Sequence, residues 1–79
     1  MMTLKVAQIG CGYFGRFQLA AWLRLESEGE PVDFQGVADA TPANRNRIET
    51  DFPGTTVHSS IENLMAENTY DIIDVVTPP

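Results

Sequence analysis

Three glycines between residues 10 and 15 carry the clearest chemical signal in this sequence. The segment from Gly10 to Gly15 reads G-C-G-Y-F-G, which is the spacing G-x-G-x-x-G, and it follows a short apolar run. Between a strand and a helix, such glycines allow a tight turn, let the backbone approach a pyrophosphate, and let the helix pack on the strand. The helix amino terminus adds free N–H groups and the positive end of its dipole. The pattern predicts a diphosphate-binding turn, the alternative being a purely structural turn.

An acidic residue follows the next extended segment at an informative distance. Asp39 lies 24 positions beyond Gly15, close to the offset of about 20 residues expected for a carboxylate that binds the adenosine ribose. Because a carboxylate there repels a 2′-phosphate, NAD is favoured over NADP as the cofactor. Arg45 and Arg47 keep NADP open as an alternative, since an arginine nearby could bind that phosphate. Asp39 could also simply terminate its strand.

The other chemically interesting residues have weaker interpretations. Arg16 could pair with a phosphate or simply be exposed, and the sequence does not decide between the two. Cys11 has no neighbour that would lower its pKa, which indicates a small buried residue and not a nucleophile. His58 lies at a strand end without partners at a catalytic spacing, so an ordinary loop histidine is expected. Trp22 and the phenylalanines at helical spacing are expected in the core.

Composition restricts the class of protein. The 79 residues, 43% of them hydrophobic, suffice for one small domain. Eleven acidic residues against five basic ones give a net charge of −6, which opposes binding to nucleic acid. No stretch approaches the roughly 20 apolar residues that cross a bilayer. One cysteine and one histidine exclude an internal disulfide and a metal-ligand cluster. We expect a soluble, cytoplasmic protein with neither a nucleic-acid nor a membrane partner.

Strand and helix signals alternate along the whole chain. Strands are predicted at residues 4–9, 32–38, 55–58 and 71–76, and helices at about 13–25, at 42–51 and after residue 59. Thr41 and Pro42 mark the start of the second helix, as N-cap and first helical residue. The segment from Ser59 to Glu62 fits a capping box for the third helix. A buried stripe is expected there at Ile61, Leu64 and Met65.

This alternation predicts an α/β fold with an incomplete doubly wound parallel sheet. Right-handed crossovers would place the strands in the order 3-2-1-4 with helices on both faces. Residues 1–79 would then form part of a dinucleotide-binding domain, and any substrate or catalytic domain would lie outside this chain. The last strand would have an unpaired edge at Val75 and Val76, which makes a homo-oligomer an alternative arrangement.

Several segments together resemble the amino-terminal domain of the Gfo/Idh/MocA oxidoreductases. The similarity covers nearly the whole chain and comprises Val6–Gly15, Ala38-Asp39, Phe52-Pro53-Gly54, Ser60–Leu64 and the closing Asp71–Pro79 with its Thr-Pro-Pro. It implies an NAD(P)-dependent dehydrogenase acting on sugars, cyclitols or related polyols, truncated before its substrate domain. Gln18 departs from the histidine that the family often has at this position.

The resemblance also implies a set of cofactor-binding residues. Gly10, Gly12 and Gly15 would hold the pyrophosphate, with the loop backbone of Tyr13 and Phe14 beside it. Asp39 would bind the ribose, and Thr77 and Pro78 would lie beside the nicotinamide half. The family's acid/base residues fall beyond Pro79, so no catalytic residue is expected within the chain.

Two other functions remain open at this point. One is a non-catalytic nucleotide-binding or sensing module, which would use the same glycine turn. The other is a fragment of an S-adenosylmethionine-dependent methyltransferase, since those enzymes also combine a glycine-rich first turn with an acidic residue after the second strand. The third glycine and the closing Thr-Pro-Pro favour the dehydrogenase pattern.

Overall fold

A computed structural model describes residues 2–77 of the chain as four strands and three helices. The elements are β1 (Leu4–Ile9), α1 (Tyr13–Ser27), β2 (Val32–Ala38), α2 (Pro42–Asp51), β3 (Val57–His58), α3 (Ile61–Glu67) and β4 (Ile72–Val75). The predicted order of elements is confirmed. Strands β3 and β4 are shorter than predicted, although Thr56 and Val76 beside them still hydrogen-bond to β2 and β1.

The four strands form one parallel sheet in the order β3-β2-β1-β4, as the alternation predicted. The buried strand β1 therefore lies between β2 and β4. All four carboxyl ends meet at one edge of the sheet, since the strands run in the same direction. The turns that follow β1 and β2 lie side by side there, and this edge is where a doubly wound sheet binds its ligands.

A β-bulge in β2 changes which side chains share a face. Val6 pairs with Phe34 but Ala7 pairs with Gly36, so Gln35 has no partner of its own in β1. The extra residue reverses the alternation beyond it. Phe34 and Val37 consequently contact the same core cluster although three positions separate them. The sequence pattern did not predict this bulge.

Helices cover both faces of the sheet, as predicted. On one face, α1 and α2 enclose a cluster of Cys11, Leu19, Val37 and Ile48. On the other face, Leu64 of α3 packs against Ala7 and Ala38. The small strand residues Ala7 and Ala38 let this short helix approach the sheet closely.

The prediction that the α1 aromatic residues are core is wrong for two of them. Phe14 and Phe17 are 72% and 58% exposed. Each residue advances about 100° around a helix, which puts both on the side opposite the buried Leu19. Trp22 is half-buried, and its indole N–H donates to the Asp74 carboxylate at 2.8 Å, which links α1 to β4.

Helix α3 also differs from its prediction. Its N-cap is Ser60, whose hydroxyl accepts from the backbone N–H of Asn63 at 3.1 Å, so the capping box from Ser59 to Glu62 is wrong by one residue. Ile61 and Met65 are 48% and 44% exposed, and only Leu64 of the expected stripe is buried. Among these three residues of the seven-residue helix, Leu64 alone belongs to the buried cluster with Ala7 and Ala38.

The two serines before α3 provide a stability test. Ser60→Ala should lower the free energy of unfolding by about 1 kcal/mol, the usual value of a serine N-cap. Ser59→Ala should change it much less, because the Ser59 hydroxyl accepts only from the exposed Asn63 side chain, at 3.4 Å. Urea denaturation of both variants, followed by circular dichroism, measures the difference. Equal losses would contradict the assignment of Ser60 as the N-cap.

Candidate cofactor-binding cleft

A cleft of about 630 Å³ opens at the carboxyl edge of the sheet, within the usual size range of ligand pockets. Its floor is the turn after β1, and its walls are the segments that follow β2, β3 and β4. The lining residues are Ile9, Gly10, Gly12, Tyr13, Phe14, Gly15, Ala38, Asp39, Ala40, Thr41, Asn44, Ser59, Ser60, Ile61, Glu62, Val76 and Thr77. Every predicted site residue within 2–77 lies on this surface. Pro78 lies outside the described residues.

Two glycines of the turn have structural tasks. Gly10 has a φ of +97°, and a Cβ there would collide with the carbonyl oxygen of Val76. A Cβ at Gly15 would lie 2.5 Å from the carbonyl oxygen of Gly10, so only glycine lets α1 begin this close to β1. The turn therefore needs glycine at both positions whether or not a ligand binds.

Gly12 differs from the other two because the space beside it is open. A Cβ there would have only the Asn44 side chain near it, at 3.7 Å, and the φ of −72° is one that any residue adopts. Gly12 is the N-cap of α1, and the first helical bond runs from Arg16 N–H to its carbonyl. The N–H groups of Tyr13 and Phe14 thus lack partners within the helix. The bare Cα and these amides form an open cradle of N–H groups that could hold a diphosphate.

Asp39 begins the wall after β2 and is fixed by three hydrogen bonds. Its carboxylate accepts from Cys11 N–H at 2.9 Å, from Thr41 N–H at 2.8 Å and from the Asn44 side chain at 3.3 Å. Partial burial alone would raise the pKa of Asp39, but these bonds outweigh it and hold the pKa below the usual 3.8. A charged carboxylate therefore lies next to the glycine turn at neutral pH.

This lowered pKa predicts how Asp39 contributes to stability as the pH changes. Because the folded pKa lies below 3.8, the contribution is complete above that value and disappears as the pH falls through the folded pKa. The difference in unfolding free energy between wild type and Asp39→Asn should shrink over that acidic range. Thermal melts of both proteins from neutral to acidic pH measure it. A constant difference would contradict the hydrogen-bonded carboxylate.

Arg16 and Cys11, two other candidates from the sequence, have no contact in the described part of the chain that indicates a role in binding or catalysis. The Arg16 guanidinium lies 5.1 and 5.4 Å from the ring centres of Tyr13 and Phe17, and Arg16 is not among the described residues that line the cleft. Cys11 is buried, and burial together with the nearby Asp39 charge raises the pKa of its thiol to about 12. The thiol therefore stays protonated and unreactive, as expected from the sequence.

Arg45 and His58 also have structural contacts. The guanidinium of Arg45 donates to the backbone carbonyl of Asp39 at 2.9 Å, which places a cation near the wall after β2. His58 ends β3, and its carbonyl accepts from Asp39 N–H at 3.1 Å. Within residues 2–77, no cluster of side chains has the composition of a metal site, and no helix is long and apolar enough to span a bilayer.

Ten lining residues are not among the predicted site residues: Ile9, Ala38, Ala40, Thr41, Asn44, Ser59, Ser60, Ile61, Glu62 and Val76. Asn44 lies beside both Gly12 and Asp39, while Ser59, Ser60, Ile61 and Glu62 form the wall after β3. The parallel order 3-2-1-4 could have indicated this wall, because it brings the end of β3 next to that of β2. Nothing in the sequence distinguished Asn44 from the exposed face of its helix.

Solved structures of similar proteins match this fold. An oxidoreductase from Agrobacterium radiobacter, solved with NAD+, L-tartaric acid and magnesium, is 25% identical, with a TM-score of 0.78 over 98% of this chain. GenD2 from gentamicin A biosynthesis, solved with NAD, is 25% identical, with a TM-score of 0.73 over 99%. The WlbA dehydrogenase from Bordetella pertussis, solved with NADH and UDP-GlcNAcA, is 20% identical, with a TM-score of 0.72 over 96%.

The chain spans about a fifth of the length of these relatives: 21% of the Agrobacterium protein and of GenD2, and 22% of WlbA. No match was found among curated proteins. The Gfo/Idh/MocA family model, described as an oxidoreductase family with an NAD-binding Rossmann fold, matches residues 4–79. With this match and the observed sheet order, the resemblance seen in the sequence is confirmed: the chain belongs to the Gfo/Idh/MocA oxidoreductase family, and its residues 4–79 match the NAD-binding Rossmann fold of that family.

Proposed function

We propose that this chain supplies the NAD-binding part of a dehydrogenase that acts on sugars, cyclitols or related polyols. The observation that carries the proposal is the pairing of an open glycine cradle with a charged carboxylate in one cleft. Gly12 and the free amides of Tyr13 and Phe14 would hold the pyrophosphate, with Gly10 and Gly15 shaping the turn. Asp39 would accept hydrogen bonds from the ribose hydroxyls, and Thr77 would lie beside the nicotinamide.

When bound, NAD supplies hydride transfer, and the residues of this chain bind and orient it. The complex of WlbA with UDP-GlcNAcA supports a sugar derivative as the substrate class. A substrate domain would lie outside these residues. The cytoplasm is the proposed compartment, because the free Cys11 suits a reducing environment.

Calorimetric titration of the chain with NAD+, NADP+ and S-adenosylmethionine tests cofactor binding. We expect saturable binding of NAD+, weaker binding of NADP+ and none of S-adenosylmethionine. Gly12→Val serves as the control that removes the cradle. Failure of NAD+ to bind, or preferential binding of S-adenosylmethionine, would contradict the proposal.

A second candidate, self-association through β4, rests on one observation. This strand lies at the edge of the sheet, where Val75 is 61% and Ile73 40% exposed. An edge with exposed apolar side chains can pair with a second copy. Size-exclusion chromatography of wild type and Val75→Lys distinguishes a monomer from a dimer, and the lysine should favour the monomer. A wild-type monomer would contradict edge pairing.

A further inference from the structure

Gln8 is a polar residue in the middle of the central strand. It belongs to the run from Leu4 to Ile9, and its side chain is completely buried. An apolar residue would fit this position at lower cost, since burial of an amide is unfavourable unless hydrogen bonds replace those to water. The contacts of the amide therefore indicate what the residue does.

The nitrogen of this amide hydrogen-bonds to both ends of the glycine turn. Gln8 Nε2 donates to the carbonyl of Gly10 at 2.8 Å and to the carbonyl of Gly15 at 2.7 Å. A flipped amide would put its oxygen against two carbonyl oxygens, which can only accept, so the contacts fix its orientation. With the nitrogen committed, Gln8 Oε1 is buried and has no partner among the described residues.

The peptide unit between Gly10 and Cys11 is held from both sides. In a trans peptide the C=O and N–H point in opposite directions. Gln8 binds the C=O of this unit, and Asp39 binds its N–H at 2.9 Å. A continuous chain of hydrogen bonds thus runs from the buried strand through the turn to the carboxylate of the cleft wall.

We propose that Gln8 is a positioning residue that aligns the glycine turn and Asp39 with each other. This inference rests on the proposed NAD site, since Gln8 does not line the cleft and would act only through Gly10, Gly15 and Asp39. Its two hydrogen bonds fix the direction of the turn amides before the cofactor arrives. The unsatisfied Oε1 is the structural cost of that arrangement.

The first test compares Gln8→Met with Val6→Ala. Methionine keeps the length of the side chain but cannot donate to either carbonyl. Val6 is also buried and lies on the same face of β1, two residues earlier. Its truncation destabilises the core without touching the turn. We expect Gln8→Met to weaken NAD+ binding about tenfold, and Val6→Ala to leave it unchanged. Equal affinities for wild type and Gln8→Met, or equal losses in both variants, would overturn the proposal.

A second measurement needs no cofactor. Without the amide of Gln8, the Cys11 N–H should lose alignment with Asp39, so the pKa of that carboxyl should rise toward its ordinary value in Gln8→Met but not in Val6→Ala. NMR titration of the Asp39 carboxyl carbon measures it. Unchanged pKa values in both variants would overturn the proposal. Failure of wild type to bind NAD+ would instead contradict the proposed function and leave this result to decide the role of Gln8.

If Gln8→Met does not fold, Gln8→Glu provides the same information. A buried glutamic acid can donate one hydrogen bond when protonated, whereas the ionised form repels both carbonyls. NAD+ affinity of this variant should therefore fall as the pH rises, at pH values where wild-type affinity is constant. Parallel pH profiles for the two proteins would overturn the proposal.

Discussion

Gly12→Val is expected to weaken NAD+ binding about a hundredfold while the chain remains folded. A Cβ at Gly12 meets no atom closer than the Asn44 side chain at 3.7 Å, so the added methyl groups extend into the cleft where the diphosphate would lie. Overpacking of this kind, with loss of the amide contacts, should cost about 3 kcal/mol of binding, or roughly a hundredfold in affinity. Calorimetry measures the affinity, and circular dichroism shows whether the fold persists.

The other glycines of the turn provide the contrast. Gly15→Ala should prevent folding, because its Cβ would lie 2.5 Å from the Gly10 carbonyl oxygen. Gly29→Ala is the matched control, since it lies in a loop at a φ of +85° with nothing within 4 Å of its Cβ. It should lose only about 1 kcal/mol, from the backbone conformation. If Gly12→Val unfolds like Gly15→Ala, the role of Gly12 is structural and the proposed diphosphate cradle is contradicted.

Asp39→Ser is expected to shift cofactor preference from NAD+ toward NADP+. Removal of the carboxylate removes its repulsion of a 2′-phosphate. The guanidinium of Arg45, already hydrogen-bonded to the Asp39 carbonyl, is then free of that negative charge and can attract the phosphate. The ratio of NAD+ to NADP+ affinity should fall at least about tenfold. Affinity for both cofactors should also fall, because Cys11 N–H and Thr41 N–H lose their acceptor.

The control for this prediction is the double variant Asp39→Ser, Arg45→Met. Without the guanidinium, the repulsion is still gone but the attraction is missing, so NADP+ should gain much less. Titration of both variants with both cofactors separates these contributions. An unchanged ratio of NAD+ to NADP+ affinity in Asp39→Ser would show that Asp39 does not bind the adenosine ribose.

The sequence was sufficient for the parts of this fold that depend on local pattern. The alternation of strand and helix signals, with right-handed crossovers, led to the observed sheet order. The bulge at Gln35 could not be predicted, because it depends on the pairing between β1 and β2 and not on either strand alone. The exposure of Phe14 and Phe17 was missed because counting apolar residues overlooked which side of α1 contains Leu19.

The same distinction between local pattern and contacts across the fold applies to the cleft. Residues whose type suggests a role, such as Gly12 and Asp39, could be predicted from the sequence. Asn44 and Gln8 could not, because their importance comes from contacts across the fold. The Asn44 side chain donates to the Asp39 carboxylate, and the Gln8 side chain donates to the carbonyls of Gly10 and Gly15. The position of Arg16 outside the cleft wall likewise depends on its stacking with aromatic rings.

Amide chemical-shift mapping of the isotope-labelled chain during NAD+ addition tests the central claim most directly. If the diphosphate binds over the start of α1, the signals of Gly12, Tyr13 and Phe14 should move most, together with that of Asp39, and should saturate in parallel. The signals of residues at the opposite end of the strands, such as Lys5 near the amino end of β1, should move little. Saturable shifts confined to another surface, or none at the glycine turn, would contradict the account.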